Sequence, residues 1–129
     1  MSLELVSNIP GAPPAIGPYT PAVISEGRLL FISGQIPFDP AAGQIVRGTV
    51  TEQTEIVLTN LERIVRTAGA DLSKVIQCRV YLATLTKENF GEMNAVYAKF
   101  FGDHKPARTT LGAQLLGFDV EIEAVVALD

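Results

Sequence analysis

The closing run Asp119–Leu128 is apolar on both of its alternating faces, and that constrains the fold more than any other stretch. Val120, Ile122, Ala124 and Val126 share one parity, while Glu121 and Glu123 share the other with Val125 and Ala127. Successive strand residues point to opposite faces, so this strand needs cover on both sides. The chain supplies two one-sided helices. Thr49 to Ala68 opens with the capping-box spacing of Thr49 and Glu52, carries the stripe Val57, Leu61, Ile64, Ala68, and stops at Gly69. Lys87 to about Phe101 has Thr86 as N-cap and a Leu85–Phe90 staple, with Phe90, Met93, Tyr97 and Phe101 inward and Gly102 beyond.

Around the helices, Ala22–Ile24 and Leu29–Ser33 flank the polar turn Ser25-Glu26-Gly27-Arg28 and read as a β-hairpin. Residues Pro37–Gly48 read as a loop, Ser73–Ala83 as a long strand, and Arg108–Ala113 as a strand that a turn at Gly117 separates from Asp119–Leu128. Five prolines within Asn8–Pro21 exclude helix and central strand there, and Ile9, Ile16 and Tyr19 suggest an ordered segment lying on the domain. The order is β-β-α-β-α-β-β, with room for an extra N-terminal strand, in one domain over residues 1–129. This is an α+β layering, a mixed sheet with both helices on one face.

The other sheet face then has nothing in the chain to cover it. Val75, Val80, Leu82, Val120, Ile122, Val125 and Val126 cannot all face the two helices. At about 25 cal/mol per Å² of apolar surface, a wet sheet face is costly. Charged residues make up only 19% of the chain, against about 25% in typical domains. Both facts point to a second copy covering the face.

The inventory excludes several chemistries. One Cys (Cys78) and one His (His104) cannot build a Cys/His zinc site, and a lone Cys makes no internal disulfide. Cys78 reads as a structural thiol and His104 as a surface residue. A net charge of −4 offers no footprint for nucleic acid or an anionic membrane. No apolar run reaches the ~20 residues of a membrane span, and the N-terminus lacks the regions of a signal peptide. A soluble, cytoplasmic protein is expected.

Three segments carry residues that a core does not require. Ile16-Gly17-Pro18-Tyr19 is a tight turn with an aromatic, and Ser33-Gly34-Gln35 ends a strand where glycine permits close approach of a ligand or forms a bulge. Pro106-Ala107-Arg108-Thr109-Thr110 precedes Val120-Glu121-Ile122-Glu123, and arginine is a natural bidentate clamp for a carboxylate while glutamate can orient or deprotonate water. Each also has an ordinary reading, as a packed turn, a strand exit, a rim arginine and a solvated acidic face.

Taken together, Ala15-Ile16-Gly17-Pro18-Tyr19, Ser33-Gly34-Gln35-Ile36-Pro37, Asn94-Ala95-Val96-Tyr97 with Phe100-Phe101, Pro106-Ala107-Arg108 and Glu121-Ile122-Glu123-Ala124 resemble the RidA family, also called YjgF or L-PSP, over essentially the whole chain. The resemblance implies a chorismate-mutase-like α+β fold and a homotrimer with clefts between subunits. It also implies hydrolysis of reactive 2-imino acids to 2-keto acids and ammonia, with no metal or cofactor. Arg108 would clamp the substrate carboxylate and Glu121 position the water, with Glu123 as the fallback. Tyr19, Ser33, Gly34, Asn94 and Thr110 would complete substrate binding. Thr110 stands where enzymatic members often have Cys, and the loop between Leu111 and Glu121 is somewhat shorter than in the bacterial archetype. Two other classes stay open: a non-catalytic binder of small carboxylates that regulates or chaperones a partner, and the endoribonuclease or translation-inhibitor activity often attached to the family.

Overall fold

The computed structural model describes residues 3–129. Its centre is a four-stranded mixed sheet ordered β3-β8-β6-β7, formed by β3 (Leu29–Gln35), β6 (Val75–Leu82), β7 (Ala107–Gly112) and β8 (Val120–Ala127). β8 runs antiparallel to both β3 and β6, whereas β6 and β7 are parallel. A parallel pair requires a crossover, which α2 (Lys87–Phe101) supplies. α1 (Val50–Thr67) packs beside α2 on the same sheet face. This is the expected α+β layering.

Both helix starts are set by the expected residues. Thr49 accepts from the Glu52 backbone and Glu52 returns a bond to the Thr49 amide, a complete capping box. Thr86 Oγ1 accepts from the Asn89 amide at 3.1 Å. The buried stripe of α1 is Val57, Leu58, Leu61 and Val65, rotated from the expected line: Ile64 is only half-buried and Ala68 is exposed. A helix wedged between a sheet and another helix buries a wider arc than a single i, i+4 row. The core joins these to Met93, Tyr97 and Phe101 of α2 and to Val75, Cys78, Val80, Leu82, Val120, Ile122 and Val126 of the sheet.

The expected hairpin between Ala22–Ile24 and Leu29–Ser33 does not form. β2 (Ala22–Ser25) pairs with β1 (Leu3–Val6), the extra N-terminal strand, while β3 takes the edge of β8. Pairing with β8 lets Leu30 and Ile32 reach the core, a long-range gain that outweighs the local turn. The loop after β3 holds a small hairpin, β4 (Phe38–Asp39) with β5 (Gln44–Ile45). The proline-rich stretch docks less than expected: residues 7–16 are exposed, and attachment comes through Thr20, whose amide donates to Pro106 O at 3.2 Å and whose hydroxyl donates to Lys105 O.

The strand residues also divide between the two faces differently from the expectation. Of the seven valines, leucines and isoleucines expected to divide between faces, six are fully buried with the helices; only Val125 lies on the other side. An irregularity in register between Val75 and Gln77 reverses the alternation of β6 and returns Val75 to the core. The open face remains partly apolar through residues outside that set, with Phe31 73% exposed, Leu29 42% and Leu111 37%. No helix among the described residues is long and apolar enough to cross a membrane.

Candidate functional site

The register divides the expected site residues into two groups. On β7, Arg108 pairs with Cys78, which is buried under α2. Glu121 on β8 pairs with Tyr81, three residues further along β6. Odd spacing along a strand reverses the face, so Arg108 points to the helix side and Glu121 to the open side.

The first group surrounds Arg108. Its Nη1 donates to Asn94 Oδ1 at 2.7 Å and lies 3.8 Å from Met93 Sδ, both on α2. Its guanidinium carbon lies 4.9 Å from the ring centre of Tyr97, 5.7 Å from Phe90 and 5.9 Å from Tyr19. Arg108 has no carboxylate partner among the described residues. Partial burial lowers the guanidinium pKa, and charge interactions with Tyr97, Cys78 and Tyr19 oppose it in part. Tyr19 reaches this place through the tight turn in which its amide donates to Gly17 O at 2.8 Å, and its hydroxyl accepts from the Ile16 amide at 3.2 Å. Thr110 follows Arg108 on the same side of β7, and its buried hydroxyl has no hydrogen-bond partner.

The second group sits where β3 bulges against β8. Ile32 pairs with Ala124 and Gln35 with Ile122, so Ser33 and Gly34 together oppose one residue. The Ser33 side chain is exposed, and its carbonyl accepts from Gln35 Nε2 at 2.9 Å. The Glu121 carboxylate lies directly over Gly34: an added Cβ would meet Glu121 Oε2 at 2.0 Å and Cδ at 2.8 Å. No hydrogen bond or ion pair engages that carboxylate among the described residues. Glu123 is different, since it accepts the Tyr81 hydroxyl and lies 3.6 Å from Arg79 Nη1. That bond raises the Tyr81 pKa.

The position of Glu121 is set at the entry to β8. The fully buried Gln53 donates to Asp119 Oδ2 at 2.8 Å and to Gly48 O at 2.9 Å, and accepts from the Asp119 amide at 2.7 Å. Arg47 Nε also holds Gly117 O at 2.7 Å. These clamps anchor the short connection before Glu121.

The two residues expected to lie outside the chemistry divide. Cys78 is fully buried, and burial pushes its thiol up to about 12, leaving it neutral and inert at ordinary pH. His104 is half-buried, with Nε2 2.7 Å from Val75 O, a structural contact in place of the expected surface position.

Residues 10–128 match the family model described as Endoribonuclease L-PSP. The chain belongs to the RidA/YjgF/L-PSP family. A RutC family protein of Pyrococcus horikoshii is 47% identical over 88% of this chain and 90% of its own length. The bovine protein named 2-iminobutanoate/2-iminopropanoate deaminase is 42% identical over 88% of this chain and 82% of its own. Among solved structures, a protein of unknown function of the conserved Rid family from Yersinia pestis superposes with a TM-score of 0.86, at 30% identity, covering 99% of this chain and 100% of its own. This RidA-family chain thus carries the family motifs on two faces of one sheet. Sequence reasoning assigned Phe90, Met93 and Tyr97 to the core alone and missed their contact with Arg108. The signal was a hydroxyl-bearing Tyr97 in an apolar stripe one turn from Asn94.

Proposed function

We propose that this protein hydrolyses 2-imino acids to 2-keto acids and ammonia at clefts between subunits of a homotrimer. The observation that carries this reading is the Arg108 guanidinium, partly buried with one oxygen acceptor, one weak sulfur contact and no counter-carboxylate among the described residues. A buried, unpaired cation is costly, and a bidentate carboxylate ligand relieves it. Asn94, Tyr19 and the adjacent Thr110 hydroxyl would border such a ligand. The unengaged Glu121 carboxylate above Gly34 lies on the other face, so the two halves would meet only when one copy's open sheet face approaches another copy. The exposed Phe31 and Leu29 beside Val125 give that face apolar surface to bury.

In this reading Arg108 holds the substrate carboxylate while Glu121 accepts a proton from water. The water oxygen bonds to C2 of the iminium, and the C=N electron pair moves to nitrogen. The amine then takes a proton, the C–N bond breaks with its electrons leaving as ammonia, and the new hydroxyl loses its proton to become the keto oxygen. Glu121 is favoured over Glu123 because Tyr81 and Arg79 already occupy Glu123. Such an imine is already electrophilic, so orientation supplies most of the acceleration. The endoribonuclease description of the family finds less support here: the net charge is −4 and the single His is engaged with a backbone carbonyl.

The test is a coupled assay in which a threonine dehydratase generates 2-iminobutanoate and 2-ketobutyrate release is followed. Substoichiometric protein should speed release, and Arg108→Ala should abolish the effect while preserving the mass seen by light scattering. Equal activity in the mutant would refute the clamp; no acceleration by wild type would favour a binder. Phe31→Glu should convert trimer to smaller species and remove activity with it.

A further inference from the structure

We infer that Tyr97 is a positioning residue for Arg108, with the face of its ring setting the plane of the guanidinium. This rests on the reading of Arg108 as a carboxylate clamp. Among the three rings near the cation, Tyr97 is the closest, at 4.9 Å, and it is fully buried, whereas Phe90 and Tyr19 are half-buried. Asn94 and Tyr97 are three apart on α2, so one rigid helix presents both to Arg108. Asn94 Oδ1 grips Nη1 at 2.7 Å and fixes rotation within the guanidinium plane. The Tyr97 ring beneath fixes the plane itself.

The ring is braced in turn. Phe101 lies 4.7 Å from it at 49°, and Phe100 meets Phe101 edge-on at 5.4 Å. With no carboxylate to tether it among the described residues, the long Arg108 side chain is held by Asn94 and by the surrounding rings, of which Tyr97 is the nearest and the most buried. The Tyr97 hydroxyl makes no hydrogen bond to Arg108. It is buried beside the Cys78 thiol without a regular hydrogen bond, and burial drives its pKa far above the ordinary value. Shape alone would admit any apolar residue of similar volume, so the ring's electron density is the property to test.

Tyr97→Phe keeps the face and removes only the unpartnered hydroxyl. Tyr97→pentafluorophenylalanine keeps the shape but withdraws density from the face, and Tyr97→Leu removes the face. Two readouts apply to the full-length protein. Side-chain ¹⁵N NMR should show slow Arg108 guanidinium rotation in wild type and Tyr97→Phe, and faster rotation in the pentafluoro and leucine variants. Calorimetry with 2-ketobutyrate should show Kd unchanged in Tyr97→Phe and raised about 3- to 10-fold in the pentafluoro variant, as a weakened cation–π contact requires. Equal rotation rates in wild type and the pentafluoro variant would overturn the inference, even if both bind 2-ketobutyrate. A wild type that holds its guanidinium but fails to accelerate imine hydrolysis would instead count against the deaminase reading alone.

Discussion

Gly34→Ala tests the part proposed for Glu121. The glycine does not occupy the left-handed region, so alanine is conformationally admissible there and should gain about 0.4–1 kcal/mol through the unfolded chain. Its methyl group, however, would stand 2.0 Å from Glu121 Oε2, 2.8 Å from Cδ and 3.1 Å from Cγ. Ordinary contact is near 3.5 Å, so the carboxylate must withdraw by about 1–1.5 Å. A glutamate turns aside easily, at about 0.5–1.5 kcal/mol for an unfavourable rotamer. The two effects nearly cancel, and Tm should change by less than about 5 °C. Catalysis is less forgiving, since a misplacement of about 1 Å can lower the rate roughly 100-fold. The expected result is a folded protein whose kcat/KM for 2-iminobutanoate falls by about 30- to 100-fold. Adding Glu121→Ala separates this cause from direct obstruction of the substrate. If Gly34→Ala acts through the carboxylate, the double mutant is no worse than Glu121→Ala alone. Wild-type activity in Gly34→Ala, or losses that multiply in the double mutant, would refute the reasoning.

Gln53→Leu should cost about 2–3 kcal/mol in urea unfolding, because the Asp119 amide and carboxylate lose buried partners. The Glu52 carboxyl is held below its usual pKa by bonds from the Thr49 backbone, then its hydroxyl side. A lowered folded-state pKa gives stability that is present above the unfolded value and lost as pH falls through the folded one. Glu52→Gln should therefore flatten the acid limb of the stability profile below about pH 4.5, measured by Tm against pH; an unchanged limb would exclude the capping box as a contributor. Cys78 should resist iodoacetamide in the native protein at pH 8 and react in denaturant, and rapid native labelling would contradict its burial.

Much of the layering is legible in the sequence. Thr49 with Glu52, Gly69, Thr86 and Gly102 delimit both helices because capping is local chemistry, decided within three or four residues. The motif residues were legible as well, but their partition was not. Arg108 and Glu121 lie on opposite faces because of how β7 and β8 register on β6, and no run of residues encodes that register. The same limit explains the misplaced hairpin: Leu29–Gln35 finds β8, about ninety residues away, because its apolar residues complete the core there.

What the sequence determines by itself is the two helices with their ends, the long strands, and a scarcity of charge. Tertiary structure alone decides that Val75 returns to the core at an irregular register, leaving Val125 with Phe31 on the open face. It also decides that Tyr81 and Arg79 engage Glu123 and leave Glu121 unengaged. The physical reason is the same in each case. A strand's alternation assigns its residues to two sides, but which side meets the helices depends on pairing and bulges formed between segments far apart in the chain.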